Sequence, residues 1–469
     1  MSVIHESNED RQSGSAARII PDAVATVTRP VSRTLRTGSD NMRHLPSRKC
    51  QQCRLWALFI MLGGCFPLHL QAQYDKNTEM APKEQIVTEG GIRMEIGKTI
   101  RLTPAPISAM HPWLKALRLE NGDLIFNCPL SGGTHRDYAL SPKEDEDLCA
   151  LRSKDNGETW QKSLSQTSED GGATWRSRPT AVQRAVRLKD GTLIADYGRY
   201  LGTSLTPTAD KRMIFKRIEP MSLGYAPTMT QLADGKILCA AQQGWIHQTV
   251  NGVKLEGGYY IHFLTSSDRG VNWQDAGKLS FQTFGDDMSD GFEGYGEPFF
   301  LKAANGDFLL FLRTTMHANT GAQLPRPKYP PVKVVRSTDE GKTWSKPIEV
   351  HPTGVMPVAT LLDNGIIVAF TGRGGNRVAA SRDNGRTWYC HQNLMFTGQS
   401  PNFSGHNAIV SVGDSRALLI YTGNHRHPGA EPGFAPNNLY GAELIGTFVT
   451  YKAEHPDWRK ELKAESAEK

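Results

Sequence analysis

Five copies of one eight-residue pattern, Ser-x-Asp-x-Gly-x-(Thr/Asn)-Trp, constrain this chain more than any other feature. They occupy Ser153–Trp160, Ser168–Trp175, Ser266–Trp273, Ser337–Trp344 and Ser381–Trp388, and they use five of the nine tryptophans. The residue types describe a hairpin turn. Ser and Asp side chains accept hydrogen bonds from nearby backbone N–H groups. Gly supplies a backbone angle that other residues avoid. Trp fills the gap beside the turn and buries a large apolar area.

A second repeat runs in phase with the first. Asn-Gly or Asp-Gly followed by an apolar run, a hairpin signal, occurs at Asn121, Asp190, Asp234, Asn305 and Asn364, with a weaker sixth copy at Gly413-Asp414. Asn121 to Ser153, Asp234 to Ser266 and Asn305 to Ser337 are each 32 residues apart. Equal offsets predict the same path from inner hairpin to octapeptide turn. Asn364 to Ser381 is shorter at 17, which predicts a trimmed loop. The unit at Asp190 has no octapeptide of its own. The one at Ser168 follows its neighbour by only 15 residues, which predicts an irregular loop. Six units imply six repeats of one β architecture. The apolar stretch Ile92–Leu102 is expected to add the outer strand that closes the last unit.

These octapeptides resemble the Asp box of the sialidase-like (BNR-repeat) β-propellers. The resemblance implies an all-β chain with a six-bladed β-propeller of the sialidase fold, its boxes on outer turns away from the catalytic face. The expected domains are 1–73, an extension plus signal peptide; 74–451, the propeller; and 452–469, a charged C-terminal tail. The 469 residues with 45 glycines fit a turn-rich all-β protein.

The formal charge of +6 sits mainly at the N-terminus. Residues 1–73 hold nine Lys/Arg and five Asp/Glu, and the rest sets 45 basic against 43 acidic residues. Charge therefore gives no support to a nucleic-acid partner. Residues 1–41 are polar and read as disordered. Met42-Arg43 then opens a basic stretch with Arg48, Lys49 and Arg54, followed by an apolar run over 55–62. That order is a secretory signal, and the run is short for a membrane span. Met42 is the expected true start, and the protein is expected to be secreted or periplasmic. Leu62-Gly-Gly-Cys65 resembles a lipobox, which would make an outer-membrane lipoprotein anchored at Cys65. Leu70-Gln-Ala72 resembles an ordinary cleavage site. Either exit leaves an exported protein.

Cys50-x-x-Cys53 has no second pair and reads as chance in a discarded segment. Cys128 and Cys149 fall in one unit, as a disulfide or as buried thiols. No cofactor, nucleotide, haem or metal site is expected. Gly372-Arg-Gly-Gly375 lacks the strand–loop–helix setting of a phosphate loop.

The resemblance implies a site at the propeller axis. In sialidases three arginines clamp the sugar carboxylate, a tyrosine is the nucleophile, a glutamate its base and an aspartate the acid/base. The segment from Glu297-Pro298 to Arg313 resembles the one carrying the base glutamate and the second arginine. Arg377, just before the last box, is placed like the third, with Arg373 as alternative. Pro112 falls where the first arginine belongs, and Lys115 and Arg184 are out of register. His406 aligns with the tyrosine and suits general acid/base work near neutral pH. Tyr421 lies further along, at the end of the following strand. Asp137 is in the acid's loop, where Asp145 and Asp147 compete. The plain alternatives are solvated loop carboxylates, a surface ion pair and a strand-edge arginine. The implied function is a sialidase-like glycoside hydrolase acting on terminal acidic sugars, sialic or uronic. Glu297, His406 and Asp137 would move protons, and Arg313 and Arg377 would hold the carboxylate. The rival is a non-catalytic glycan-binding propeller, and a protein-binding scaffold is a third reading.

Overall fold

The computed structural model describes residues 86–102, 115–129, 148–179, 185–197, 200–206, 209–217, 223–244, 248–250, 253–255, 258–284, 292–316, 331–372, 376–394, 407–423 and 443–455. All lie in the compact unit Tyr74–Lys469. The chain is all-β: among the described residues the only helical element is a 3-10 turn, Phe281–Phe284.

Among the described residues, six antiparallel meanders follow one another in sequence. Meander I is Lys115–Arg118, Leu124–Pro129, Leu148–Ser153 and Gln161–Lys162. Meander II is Val186–Arg187, Leu193–Tyr197, Tyr200–Thr206 and Ala209–Arg217. Meander III is Tyr225–Gln231, Ile237–Gly244, Tyr259–Ser266 and Gln274–Leu279. Meander IV is Phe292–Lys302, Phe308–Met316, Val332–Ser337 and Ile348–His351. Meander V is Val355–Leu361, Ile367–Gly372, Arg377–Ser381 and Tyr389–Asn393. Meander VI is Ala408–Gly413, Arg416–Gly423 and Glu443–Ala453, and its fourth strand comes from the other end of the unit: Ile92–Arg101 pairs with Glu443–Ala453, as the apolar stretch predicts. The last strand runs through Ala453, two residues into the segment assigned by sequence to the tail.

The apolar runs after each Asn/Asp-Gly turn have a simple cause. The second strand of each meander is covered on both faces, so successive side chains enter different cores. Ile367 and Ala369 pack toward meander IV, whereas Val368 and Phe370 pack toward meander VI. Among the described residues this gives a core between each of the five consecutive pairs of meanders and a sixth in which Leu418, Ile420 and Phe448 of VI pack on Leu124, Phe126 and Leu151 of I.

The octapeptide turns fold as their chemistry requires. In the turn Ser337–Trp344, Ser337 Oγ donates to Asp339 Oδ1 (2.7 Å) and accepts from Gly341 N (2.7 Å), while Thr343 N donates to Asp339 Oδ1 (2.9 Å). The other four copies repeat this set. The turns also join meanders. A Cβ on Gly157, Gly341 or Gly385 would stand 2.8 Å from Leu418, Leu238 or Leu309, on the second strand of the preceding meander. Trp344 stacks on Phe263 of meander III at 5.5 Å, and Trp388 meets Phe311 of meander IV edge-on at 5.6 Å.

The turn at Ser168 corrects the sequence reading. It is a regular hairpin, Leu164–Ser168 with Arg176–Pro179, carried by meander II. Leu164–Ser168 pairs in parallel with Ala209–Arg217. Being parallel to that outward strand, it ends at the end of the sheet opposite the Asp190 turn. The other four octapeptides share the end of the Asn/Asp-Gly turns. Cys128 and Cys149 stand opposite one another in meander I, and their side chains lie outside the described residues. Cys239 and Cys390 are buried thiols.

Candidate functional site

Each meander has a turn end, with its Asn/Asp-Gly hairpin, and a loop end, where its first strand begins and its second strand finishes. Glu297 and Arg313 lie at the loop end of meander IV, with Arg313 opposite Gly296 in register. Arg313 Nη1 donates to Glu297 Oε1 at 2.6 Å. The glutamate is nearly sealed, its side chain 6% exposed against 26% for the arginine. Its second oxygen, Oε2, accepts from Met356 N of meander V at 2.7 Å. Its own N–H donates to Gln242 Oε1 of meander III at 2.9 Å. One residue thus ties three meanders together. Arg313 Nε is buried and makes no hydrogen bond among the described residues.

The backbone that aims these groups is unusual and recurs. Ala226, Glu297 and Met356 have φ of 53°, 46° and 50°. Each precedes a proline, Pro227, Pro298 or Pro357, and each sits in a register shift of its first strand. Left-handed backbone is costly for an L-residue, and a following proline crowds it further. The bulge turns the N–H sideways toward the preceding meander, where Glu297 N finds Gln242 and Met356 N finds Glu297. Sequence reasoning missed Gln242 and Met356. A usable signal was present, since each proline stands seven residues ahead of Asp234, Asn305 or Asn364.

Arg377 begins the third strand of meander V, opposite Thr371 and Asn393. That is two strand spacings, roughly 10 Å, from Val355 at the start of the first strand. No hydrogen bond or ion pair joins it to Glu297 or Arg313 among the described residues. Its charge acts instead on His351, the last residue of meander IV, which is 1% exposed. Burial first, then the nearby His391 and Arg377, push His351 down to about 3, so the imidazole is neutral. Its ring meets His391 edge-on at 5.9 Å.

Asp137 and His406 lie outside the described residues, as do Asp145, Asp147, Arg184, Arg373 and Pro112 and the side chain of Lys115. Asn407, directly after His406, is buried, and neither amide atom makes a hydrogen bond among the described residues. Tyr421 is sealed in the core with its hydroxyl 2.8 Å from Thr447 Oγ1, and burial pushes its ionisation far up. It has no route to a substrate. Among the described residues no cluster of three or more His, Cys, Asp or Glu side chains could hold a metal.

No family model and no curated protein matches the chain. Several solved structures are similar to it at low identity. A Dyadobacter fermentans protein of unknown function has a TM-score of 0.48 and 15% identity over 78% of this chain and 100% of its own. The GH93 α-L-arabinofuranosidase of Fusarium graminearum has a TM-score of 0.42 and 12% identity over 75% of this chain and 97% of its own. Trypanosoma rangeli sialidase has a TM-score of 0.34 and 10% identity over 72% of this chain and 55% of its own.

Proposed function

We propose that the chain is an exported six-bladed sialidase-like propeller that hydrolyses glycosides of terminal acidic sugars, sialic or uronic. Six meanders with a core at every junction, the sixth packed on the first, support the blade count. The observation that carries the function is the Glu297–Arg313 pair. A guanidinium at the loop end is held from one side by a buried carboxylate and stays partly exposed on the other. A planar guanidinium suits a sugar carboxylate. Asp137 and His406 supply proton transfer in this reading. Glu297 orients Arg313, because both its oxygens are already engaged. Arg377 is assigned an outer contact to the sugar.

Saturation of Glu297 also favours a second reading, a propeller that binds acidic glycans without cleaving them. One assay separates the two. The full chain is tested for release of fluorogenic aglycones from sialosides and glucuronosides, beside Glu297→Ala and Arg313→Ala. Turnover abolished in both variants supports the hydrolase. Acidic-glycan binding without turnover establishes the second reading, and neither binding nor turnover refutes both. Removing the Met42 start codon tests Met42 as the start, and mass analysis of the exported protein's N-terminal peptide tests Cys65 as the anchor.

A further inference from the structure

Glu297 holds a conformation that its own chemistry resists. At φ 46° its Cβ crowds the backbone, and Pro298 narrows its choices further. Strain of this kind persists only where the surroundings over-determine it. Three hydrogen bonds do so. Two use the carboxylate, to Arg313 and Met356 N, and these are the bonds that aim the guanidinium. The third grips the Glu297 backbone, through its N–H to Gln242 Oε1 at 2.9 Å. Gln242 can reach because position 296 is glycine. A Cβ there would stand 2.4 Å from Gln242 Oε1. Gly296 is not in the left-handed region, so its absent side chain serves this approach and not a backbone angle.

We infer that Gln242 is a positioning residue for Arg313: it keeps Glu297 left-handed, so the carboxylate meets one side of the guanidinium and leaves its exposed part to a ligand carboxylate. The inference rests on the proposed reading of Arg313 as a carboxylate anchor. Without the bond to Gln242, Glu297 relaxes toward extended backbone, and its carboxylate leaves both Arg313 and Met356 N. The affinity of meander IV for an acid then depends on a side chain of meander III.

The test uses Gln242→Ala, Gly296→Ala and the double variant in the full chain. Gly296→Ala breaks the same bond from the other side and adds no backbone strain. With arginine labelled by nitrogen-15, the Arg313 Nε–H resonance, assigned by its loss in Arg313→Lys, reports the guanidinium directly. N-acetylneuraminate and glucuronate are titrated beside their methyl esters. Each single variant is expected to shift the resonance and weaken acid binding about tenfold, the scale of one charge-assisted hydrogen bond. The ester affinities stay unchanged. The double variant is no worse than either single one, because both remove one interaction. An unmoved resonance in the single variants, or additive losses in the double one, overturns the inference. A moved resonance in a protein that binds no acid upholds the positioning role and refutes the proposed function. Should Gln242→Ala fail to fold, Gly296→Ala carries both readouts alone.

Discussion

Gly385 offers a quantitative test of how the octapeptide turns join the meanders. Its φ is 81°, and a Cβ there would stand 2.8 Å from Leu309 Cδ1 and 3.1 Å from Cδ2. Leu309 is fully buried between meanders IV and V. Gly385→Ala therefore carries two costs. The left-handed angle costs an L-residue about 1–2 kcal/mol. Forcing a methyl into a filled core costs about 1–3 kcal/mol more. Gly235 is the control, with a similar φ of 91° and nothing within 4 Å of its would-be Cβ. Gly235→Ala should show the angle cost alone. The difference between the two variants in urea unfolding is expected to be about 1–3 kcal/mol, all of it packing. Equal losses would mean that the turn does not press on the neighbouring meander, and the account of the inter-meander cores would fail with it.

Three further outcomes follow from the charges and the core. Hydrogen bonds from the Thr343 hydroxyl and amide hold Asp339 down to about 2, so its contribution is present above the usual carboxylate range and lost as pH falls through that value. The Tm gap between wild type and Asp339→Asn should narrow as pH drops from about 4 to about 2, and a constant gap contradicts the assignment. His351 is neutral in the fold but takes a proton in the unfolded chain below about pH 6.5. The stability it permits is complete above that pH and declines toward about 3, by about 3 kcal/mol at pH 4. His351→Phe should flatten urea midpoints measured between these pH values, and an unchanged slope rules the mechanism out. Tyr421→Phe removes a buried hydrogen bond to Thr447 and should cost about 1 kcal/mol while leaving any glycosidase turnover intact. Lost turnover in a stable Tyr421→Phe protein would contradict this purely structural role.

Much of the architecture was legible because it is local. Asn-Gly and Asp-Gly hairpins and the Ser-x-Asp turns are set by residues within eight positions of one another, and the constant offset of 32 follows from a repeated path. The hairpin at Ser168 was not legible. Its place depends on parallel pairing with Ala209–Arg217, some forty residues on, and no local pattern encodes that partner. The candidate site divides in the same way. Glu297 and Arg313 share one hairpin and were found together. Gln242 lies 55 residues before Glu297, and Met356 gives only a backbone N–H, so neither side chain advertises its part. The pairs Asp123–Arg152 and Asp307–Arg336, at 2.7 and 3.2 Å, were readable in hindsight. They recur at the same positions of two repeats, and meander V has Ile366 and Ala380 there instead.

The central claim is that Arg313, held by Glu297, anchors an acidic sugar. Equilibrium titration of wild type and Arg313→Met with N-acetylneuraminate, glucuronate and their methyl esters tests it directly. The account predicts that wild type binds the acids in preference to the esters. Arg313→Met should lose roughly 10- to 150-fold in acid affinity, the equivalent of a charge-assisted hydrogen bond of about 1.5–3 kcal/mol, with ester binding unaltered. Equal affinity of wild type and Arg313→Met for the acids would contradict it.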